Sequence, residues 1–221
     1  MGADDARKNA SMKRYIKAIR AWMAAFLWNK TMLPSPFAAK ARAFAIKAHG
    51  TQMYGAEPYV THLDQVVAVL AEFGHTDPQH IMGGYLHDVL EDTPIDPLEI
   101  ESTFGYTVSS IVQFCTDEKG HTNRKSRKEA TYARCQRDIA TKWQHTVMQL
   151  PSIPYSVHIK LADRIANMRN CMATGNKSLF EMYAKEGRAF RSALYTEASP
   201  NSAMFTPMWI EYDRLLAKVL K

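Results

Sequence analysis

Gly84-Tyr85-Leu86-His87-Asp88-Val89-Leu90-Glu91-Asp92 is the stretch on which the reading of this chain turns. It packs one imidazole and three carboxylates into six residues. Asp77-Pro78 opens the segment as a helix, which runs through Ile81, Met82, Tyr85 and Leu86. On a single helix Glu91 and Asp92 follow His87 and Asp88 at i+4, so four polar side chains leave neighbouring faces of two turns. Unpaired negative charge beside apolar residues is costly unless something positive joins it. A divalent metal is the simplest partner, and a solvated polar helix end is the plain alternative.

Outward from this stretch, helix signals dominate. Ser35-Pro36 is an N-cap followed by proline, Gly50 closes the segment, and Phe37, Ala41, Phe44, Ala45 and Ala48 recur as one buried stripe. Thr61 to Phe73 reads as a helix ended by Gly74, and Pro94 and Pro97 break the His87-Asp88 helix. Asp96 or Pro97 to Phe104, Thr107 to Thr116, and a basic stretch from Ser126 to about Trp143 follow. Ser156 to Met172, Lys177 to Leu194 and Phe205 to Leu220 complete the series. Only Tyr155 to Leu161 offers a competing strand pattern. The expected fold is all-α, an irregular multi-helix bundle.

At 221 residues, with 46% hydrophobic and 23% charged content, one globular domain is the natural count. The longest apolar run, Ala21 to Trp28, is too short to span a bilayer and lacks a small-residue cleavage site. Three widely spaced cysteines, Cys115, Cys135 and Cys171, form neither a disulfide framework nor a metal pair, which fits a reducing cytoplasm. The net charge of +6 is unevenly spread. Lys119 to Arg137 holds seven basic residues against one acid, and the first 34 residues hold seven against two. Such asymmetry points to an anionic partner, with a solvated helix face as the alternative. Residues 1–34 read as a basic amphipathic helical extension, with Tyr15, Ile16, Ile19, Trp22, Met23, Phe26 and Leu27 on one stripe. Three roles compete for it: packing on its own domain, an oligomer or partner contact, and a membrane surface.

A hard or borderline metal wants imidazole and carboxylate ligands, and open positions if it is to activate water. His87 and Asp88 supply two. His62 lies at a helix mouth after Pro58-Tyr59, and Asp163 sits on an otherwise apolar helix in Lys160-Leu161-Ala162-Asp163-Arg164-Ile165-Ala166-Asn167. Alone, His62 reads as a helix-capping histidine and Asp163 as the partner of Arg164 or Arg169. Their joint order changes the reading: His, then His-Asp some 25 residues on, then Asp some 75 further.

In that order the chain resembles the HD-domain hydrolases of the RelA/SpoT-homologue group, and specifically the single-domain small alarmone hydrolases. The matching stretches are His49-Gly50-Thr51-Gln52, Glu57 to His62, Gly84 to Thr93, Phe104-Gly105, Thr116 to Lys119 and Lys160 to Arg169. They span roughly residues 36 to 195, so the HD domain is expected over 35–195, with a packing C-terminal helix over 196–221. The resemblance implies an all-α HD fold and Mn²⁺ held by His62, His87, Asp88 and Asp163. It implies removal of the 3′-pyrophosphate from (p)ppGpp. Glu91 and Asp92, one turn past the ligands, are placed to orient and deprotonate the attacking water, read here as Glu91 the base and Asp92 its partner, an order the sequence leaves open. Lys119, Asn123, Arg124, Asn167 and Tyr183 are its candidate substrate contacts. Its expected partner is a small-molecule nucleotide, with neither nucleic acid nor membrane contact.

Two departures stand out. The family commonly places an arginine shortly after the His49-like position, where this chain reads Gln52-Met53-Tyr54-Gly55. The usual His-Pro after the first ligand is His62-Leu63. Base identity therefore stays open, and (p)ppApp is an alternative substrate, as is a simpler nucleotide. With no synthetase or regulatory domain expected, the chain reads as a housekeeping enzyme or as the antitoxin of an alarmone-making toxin; a homo-oligomer is equally open. A binding module that has lost catalysis is the reading from another class.

Overall fold

The computed structural model describes residues 35–120, 123–144, 152–195 and 202–218. The expected N-terminal amphipathic helix lies outside the described residues. The rest is helical apart from one small ladder: α1 Pro36–His49, β1 Met53–Tyr54, β2 Glu57–Pro58, α2 Val60–Glu72, α3 Pro78–Leu86, α4 Val89–Asp92, α5 Pro97–Phe104, α6 Tyr106–Cys115, α7 Arg124–Gln144, α8 Ser152–Thr174, α9 Lys177–Leu194 and α10 Ser202–Leu216. The segment that offered a strand pattern, Tyr155 to Leu161, is part of α8.

Helix α8 is the axis of the bundle. It packs against α2, α3, α6, α9 and α10, and Ile159, Leu161, Ala162, Ile165 and Met168 along it are fully enclosed. Burying each of the larger ones, Ile159, Leu161, Ile165 and Met168, contributes about 1.5–3 kcal/mol. One core surrounds α8 with Val66, Leu70, Phe190, Trp209 and Tyr212. The other joins α1 to α6 through Ala41, Leu63, Val67, Leu86, Val89 and Ile100. Helix α3 fits between them because it carries adjacent glycines. A Cβ on Gly83 would stand 2.5 Å from Ile159 Cδ1, and one on Gly84 2.9 Å from Val67 Cγ2.

Three expectations need correction. The helix through His87-Asp88 is two pieces: α3 stops at Leu86, His87 and Asp88 form a turn, and α4 is one turn long. Both residues keep right-handed dihedrals (φ −58°, ψ −31° and φ −98°, ψ −5°), so the periodicity carries on through a broken ladder. The chain also forms a miniature antiparallel ladder that pairs Met53 with Pro58 and Tyr54 with Glu57, turned by Gly55 at φ +65°. Finally, Phe37 is exposed and Ala38 takes its place in the buried stripe of α1 with Ala41 and Ala45. At the second position of the helix the Phe37 ring has no neighbouring turn to cover it.

Candidate metal centre

Two helices and one turn converge on a point. The first turn of α2 brings His62, the turn after α3 brings His87 and Asp88, and the middle of α8 brings Asp163. His62 Nε2 stands 3.5 Å from Asp88 Oδ2 and 3.3 Å from Asp163 Oδ1. His87 Nε2 stands 3.0 Å from Asp88 Oδ2 and 3.9 Å from Asp163 Oδ1. Nitrogen and oxygen ligands at about 2.0–2.2 Å from a shared cation stand roughly 3 Å apart at neighbouring positions, so these four atoms are spaced as ligands would be.

The local chemistry supports the same reading. His87 Nδ1 bonds the carbonyl of Gly84 at 2.9 Å, which the helix break leaves available. That bond makes Nδ1 a donor and turns Nε2 toward Asp88, where it carries either a proton or, as a lone pair, a metal ion. Nε2 itself is buried without a hydrogen-bond partner. A lone pair facing a carboxylate oxygen is repulsive unless positive charge lies between them. The cluster draws such charge strongly: burial opposes a charged His62, yet hydrogen bonds to Asp163 and Asp88 outweigh it and push that ring's pKa up to about 9. Burial likewise opposes ionisation of Asp88, but His87 and His62 hold it well below the usual carboxylate range. These residues fit a divalent cation with mixed imidazole and carboxylate ligands.

An outer layer fixes the inner one. Tyr59 donates its hydroxyl to Asp88 Oδ2 at 2.6 Å, and its ring stacks on His49 at 4.4 Å. His49 bonds Gln52, which donates to Asp92 Oδ2 at 2.8 Å. Asn167, one turn past Asp163 on α8, donates to Asp163 Oδ1 and accepts the Tyr54 hydroxyl at 2.9 Å. The Tyr54 ring lies 4.8 Å from His62, so the small ladder covers the first ligand with an aromatic face.

The cluster opens into a cavity of about 240 Å³. Glu91 and Asp92 are at its edge, with Arg124, Lys128, Lys160, Asn167 and Tyr183 around it. Glu91 accepts the backbone N–H of Asp117 at 3.1 Å. Desolvation raises its pKa, helped by the charges of Asp117 and Asp88. Lys128 pairs with Asp117 at 2.6 Å, and Lys160 donates to the Cys115 carbonyl at 2.6 Å. Arg124 is held by Glu186 at 2.8 Å, and the same carboxylate pairs with the buried Arg164 at 3.1 Å. Arg164 in turn lies over the Tyr183 ring at 4.7 Å.

Of the residues singled out in the sequence, His62, His87, Asp88, Glu91, Asp92, Arg124, Asp163, Asn167 and Tyr183 share this cavity. Lys119 and Asn123 do not. Lys119 lines a neighbouring cleft of about 770 Å³, which meets the first at Asp117. Asn123 accepts the N–H of Ser126 and caps α7. Asp163 faces His62, while Arg164 and Arg169 pair elsewhere, with Glu186 and with Glu72 and Glu211. The sequence reading gave no role to Tyr59, Lys128 or Lys160. Lys160, three residues before Asp163 on one helix, was the most accessible of these to inference.

The profile of the HD-domain family matches residues 41–189. The bifunctional (p)ppGpp synthase/hydrolase SpoT of Escherichia coli (strain K12) is 34% identical over 113 residues, 51% of this chain and 15% of that protein. The guanosine-3′,5′-bis(diphosphate) 3′-pyrophosphohydrolase of Danio rerio is 34% identical over 135 residues, 58% of this chain and 64% of that one. The chain thus spans 15% of the longer relative and just under two thirds of the shorter. A solved structure described as a metazoan ortholog of SpoT that hydrolyzes ppGpp superposes with a TM-score of 0.65 at 24% identity, over 84% of this chain and 96% of that one. That likeness concerns the fold. Among the described residues no helix is long and apolar enough to cross a membrane. With the profile covering more than half of its length, this chain belongs to the HD-domain family, as a homologue of the SpoT hydrolase region and of the small single-domain alarmone hydrolases.

Proposed function

We propose that this chain hydrolyses the 3′-pyrophosphate of (p)ppGpp, releasing pyrophosphate and GDP or GTP, with Mn²⁺ held by His62, His87, Asp88 and Asp163. The observation that carries this reading is the buried His87 Nε2, without a hydrogen-bond partner and aimed into a carboxylate pair beside Glu91 and the cationic side chains of Arg124, Lys128, Lys160 and Arg164. When bound, the ion supplies a water of lowered pKa and polarises the phosphorus centre. Glu91 takes the proton of the attacking water at its carboxylate, whose raised pKa suits a base that must later release that proton. Asp92, tied to Gln52, orients the water. Arg124, Lys128 and Lys160 balance the negative charge that gathers on the phosphate oxygens. The 240 Å³ cavity is small for a whole bis-diphosphorylated nucleoside, so it takes the reacting pyrophosphate. The nucleoside leaves the cavity past the Tyr54 ring, which stands in its wall.

One observation favours a second substrate. Where the resemblance expects an arginine, the small ladder offers the Tyr54 ring, and an aromatic face stacks on adenine as well as on guanine. We therefore include (p)ppApp. An antitoxin role finds no support in the fold or in the relatives.

The test is pyrophosphate release from ppGpp, ppApp and deoxynucleoside triphosphates by the full chain with Mn²⁺. Turnover of an alarmone, with deoxynucleoside triphosphates spared, is the expected result. Turnover of deoxynucleoside triphosphates alone, or of no nucleotide by protein that binds the metal, overturns the reading.

A further inference from the structure

Helices α2 and α8, which build the candidate metal centre, also build a second histidine cluster, together with α3. His75 follows the end of α2, His80 lies in the first turn of α3, and His158 is on α8 five residues before Asp163. One nitrogen from each ring lies within 4.8 Å of the others. His158 is fully buried and His80 nearly so, while His75 is half-buried in the loop between α2 and α3.

Three imidazoles are a poor filler for a core, because each brings two polar nitrogens out of water. Their arrangement is more ordered than filler needs. Asp77 caps α3 by accepting the His80 N–H at 3.3 Å, and its other oxygen bonds His80 Nδ1. A carboxylate on Nδ1 leaves the Nε2 lone pair pointing away from it, which is how ligating histidines are oriented in metal sites. His80 Nε2 is hydrogen-bonded to His158 Nδ1 at 2.8 Å, so a single proton lies where an ion would join the two rings. Two imidazole nitrogens held at about 2.0–2.1 Å from one tetrahedral ion stand roughly 3.3 Å apart, so an ion replacing the shared proton would part the rings by about half an ångström. The His75 ring lies over His158, with centroids 3.8 Å apart and planes at 25°. It must tilt to aim its lone pair, and its half-exposed loop position leaves room for that.

We propose that His75, His80 and His158 form a second metal site, separate from the Asp-containing one, for a borderline transition ion of the Zn²⁺ or Co²⁺ type. Three imidazole nitrogens supply the protein ligands and solvent the fourth, entering on the side of His75 and Asp77. No protein oxygen belongs to this donor set, so Mn²⁺, Mg²⁺ and Ca²⁺ are poorly matched to it. The proposal is independent of the reaction assigned to the first site. It gives the chain two metal positions of different chemistry, joined by the same packed helices.

The test uses the untagged full chain, stripped with chelator and brought to equilibrium dialysis with Zn²⁺ or Mn²⁺, with bound metal measured by elemental analysis. Wild type is expected to hold two equivalents of Zn²⁺ but one of Mn²⁺. The Asp88→Ala/Asp163→Ala protein is expected to keep one Zn²⁺, and adding His75→Ala to remove it. His75→Ala is chosen because its half-exposed ring leaves the core packing intact, which circular dichroism checks. As a second measurement needing no histidine variant, X-ray absorption of the single Zn²⁺ in Asp88→Ala/Asp163→Ala should show a shell with three imidazole nitrogens at about 2.0–2.1 Å. A single Zn²⁺ equivalent in wild type, retention of both after His75→Ala, or a shell built from sulfur or from oxygen alone overturns the proposal.

Discussion

The two histidine clusters of this molecule differ in one respect that decides their chemistry. Around His62 and His87 the carboxylates of Asp88 and Asp163 share the centre, and a phosphate-sized cavity opens beside them. Around His75, His80 and His158 the nearest carboxylate, Asp77, stands behind a ring and meets it at Nδ1. Both clusters draw their members from α2 or its end, from α3 or its end, and from α8. Five residues separate Asp163 from His158, about 7.5 Å of helical rise. The scaffold is common to both. The difference is whether acidic side chains face the shared point or stand behind it.

Substitutions break this comparison to different depths. The largest effect is expected from Asp88→Ala, which removes an inner oxygen from the first cluster. Pyrophosphate release should fall to that of chelator-stripped wild type, and activity that survived would end the assignment of this centre. Glu91→Gln leaves the inner atoms in place but removes the proposed proton acceptor. It should cost about 10²- to 10⁴-fold in kcat while Mn²⁺ binding stays at the wild-type level. A parallel loss of metal would make Glu91 a ligand instead. Tyr59→Phe deletes only the hydroxyl on Asp88. Loss of such an outer partner should weaken metal affinity by roughly 10- to 100-fold, measured by Mn²⁺ titration. An unchanged affinity would show that Asp88 is held without it.

The smallest effect probes what the clusters share. Gly83→Ala puts a methyl against Ile159 and Ile111, and overpacking of this kind costs about 1–3 kcal/mol in stability. Alanine returns part of that by its better helix propensity, about 0.5–1 kcal/mol. Denaturant unfolding should show a net loss. Because α3 carries His80 at one end and His87 just beyond the other, metal binding at both ends should weaken together. Weakening at one end alone would mean that the glycine contact does not couple them.

Much of the fold was legible. Pro36, Pro78 and Pro97 mark helix starts and Gly50, Gly74 and Gly105 mark stops, each through a fixed φ or a left-handed turn. His62, His87, Asp88 and Asp163 could be grouped because their residue types suit one chemistry in one order. The break between α3 and α4 was hidden, since His87 and Asp88 keep helical dihedrals and the apolar period continues to Val89. The small ladder was hidden because two-residue strands cannot show an alternating pattern. Lys128 was hidden for another reason. A lysine on a basic helix reads as solvated, and only the fold shows it turned inward onto Asp117. Lys119 erred in the opposite direction: its place in a recognised stretch did not bring it into the cavity it adjoins.

The bond from His87 Nδ1 to the carbonyl of Gly84 has a consequence for inheritance. An orienting partner supplied by a side chain can be lost by a single codon change. A main-chain oxygen is present whatever residue stands at its position, so a replacement at residue 84 threatens this ring through the crowding of its new side chain against Val67 and Leu70 and not through loss of the group itself. Only a change in the path of the backbone could take that group away.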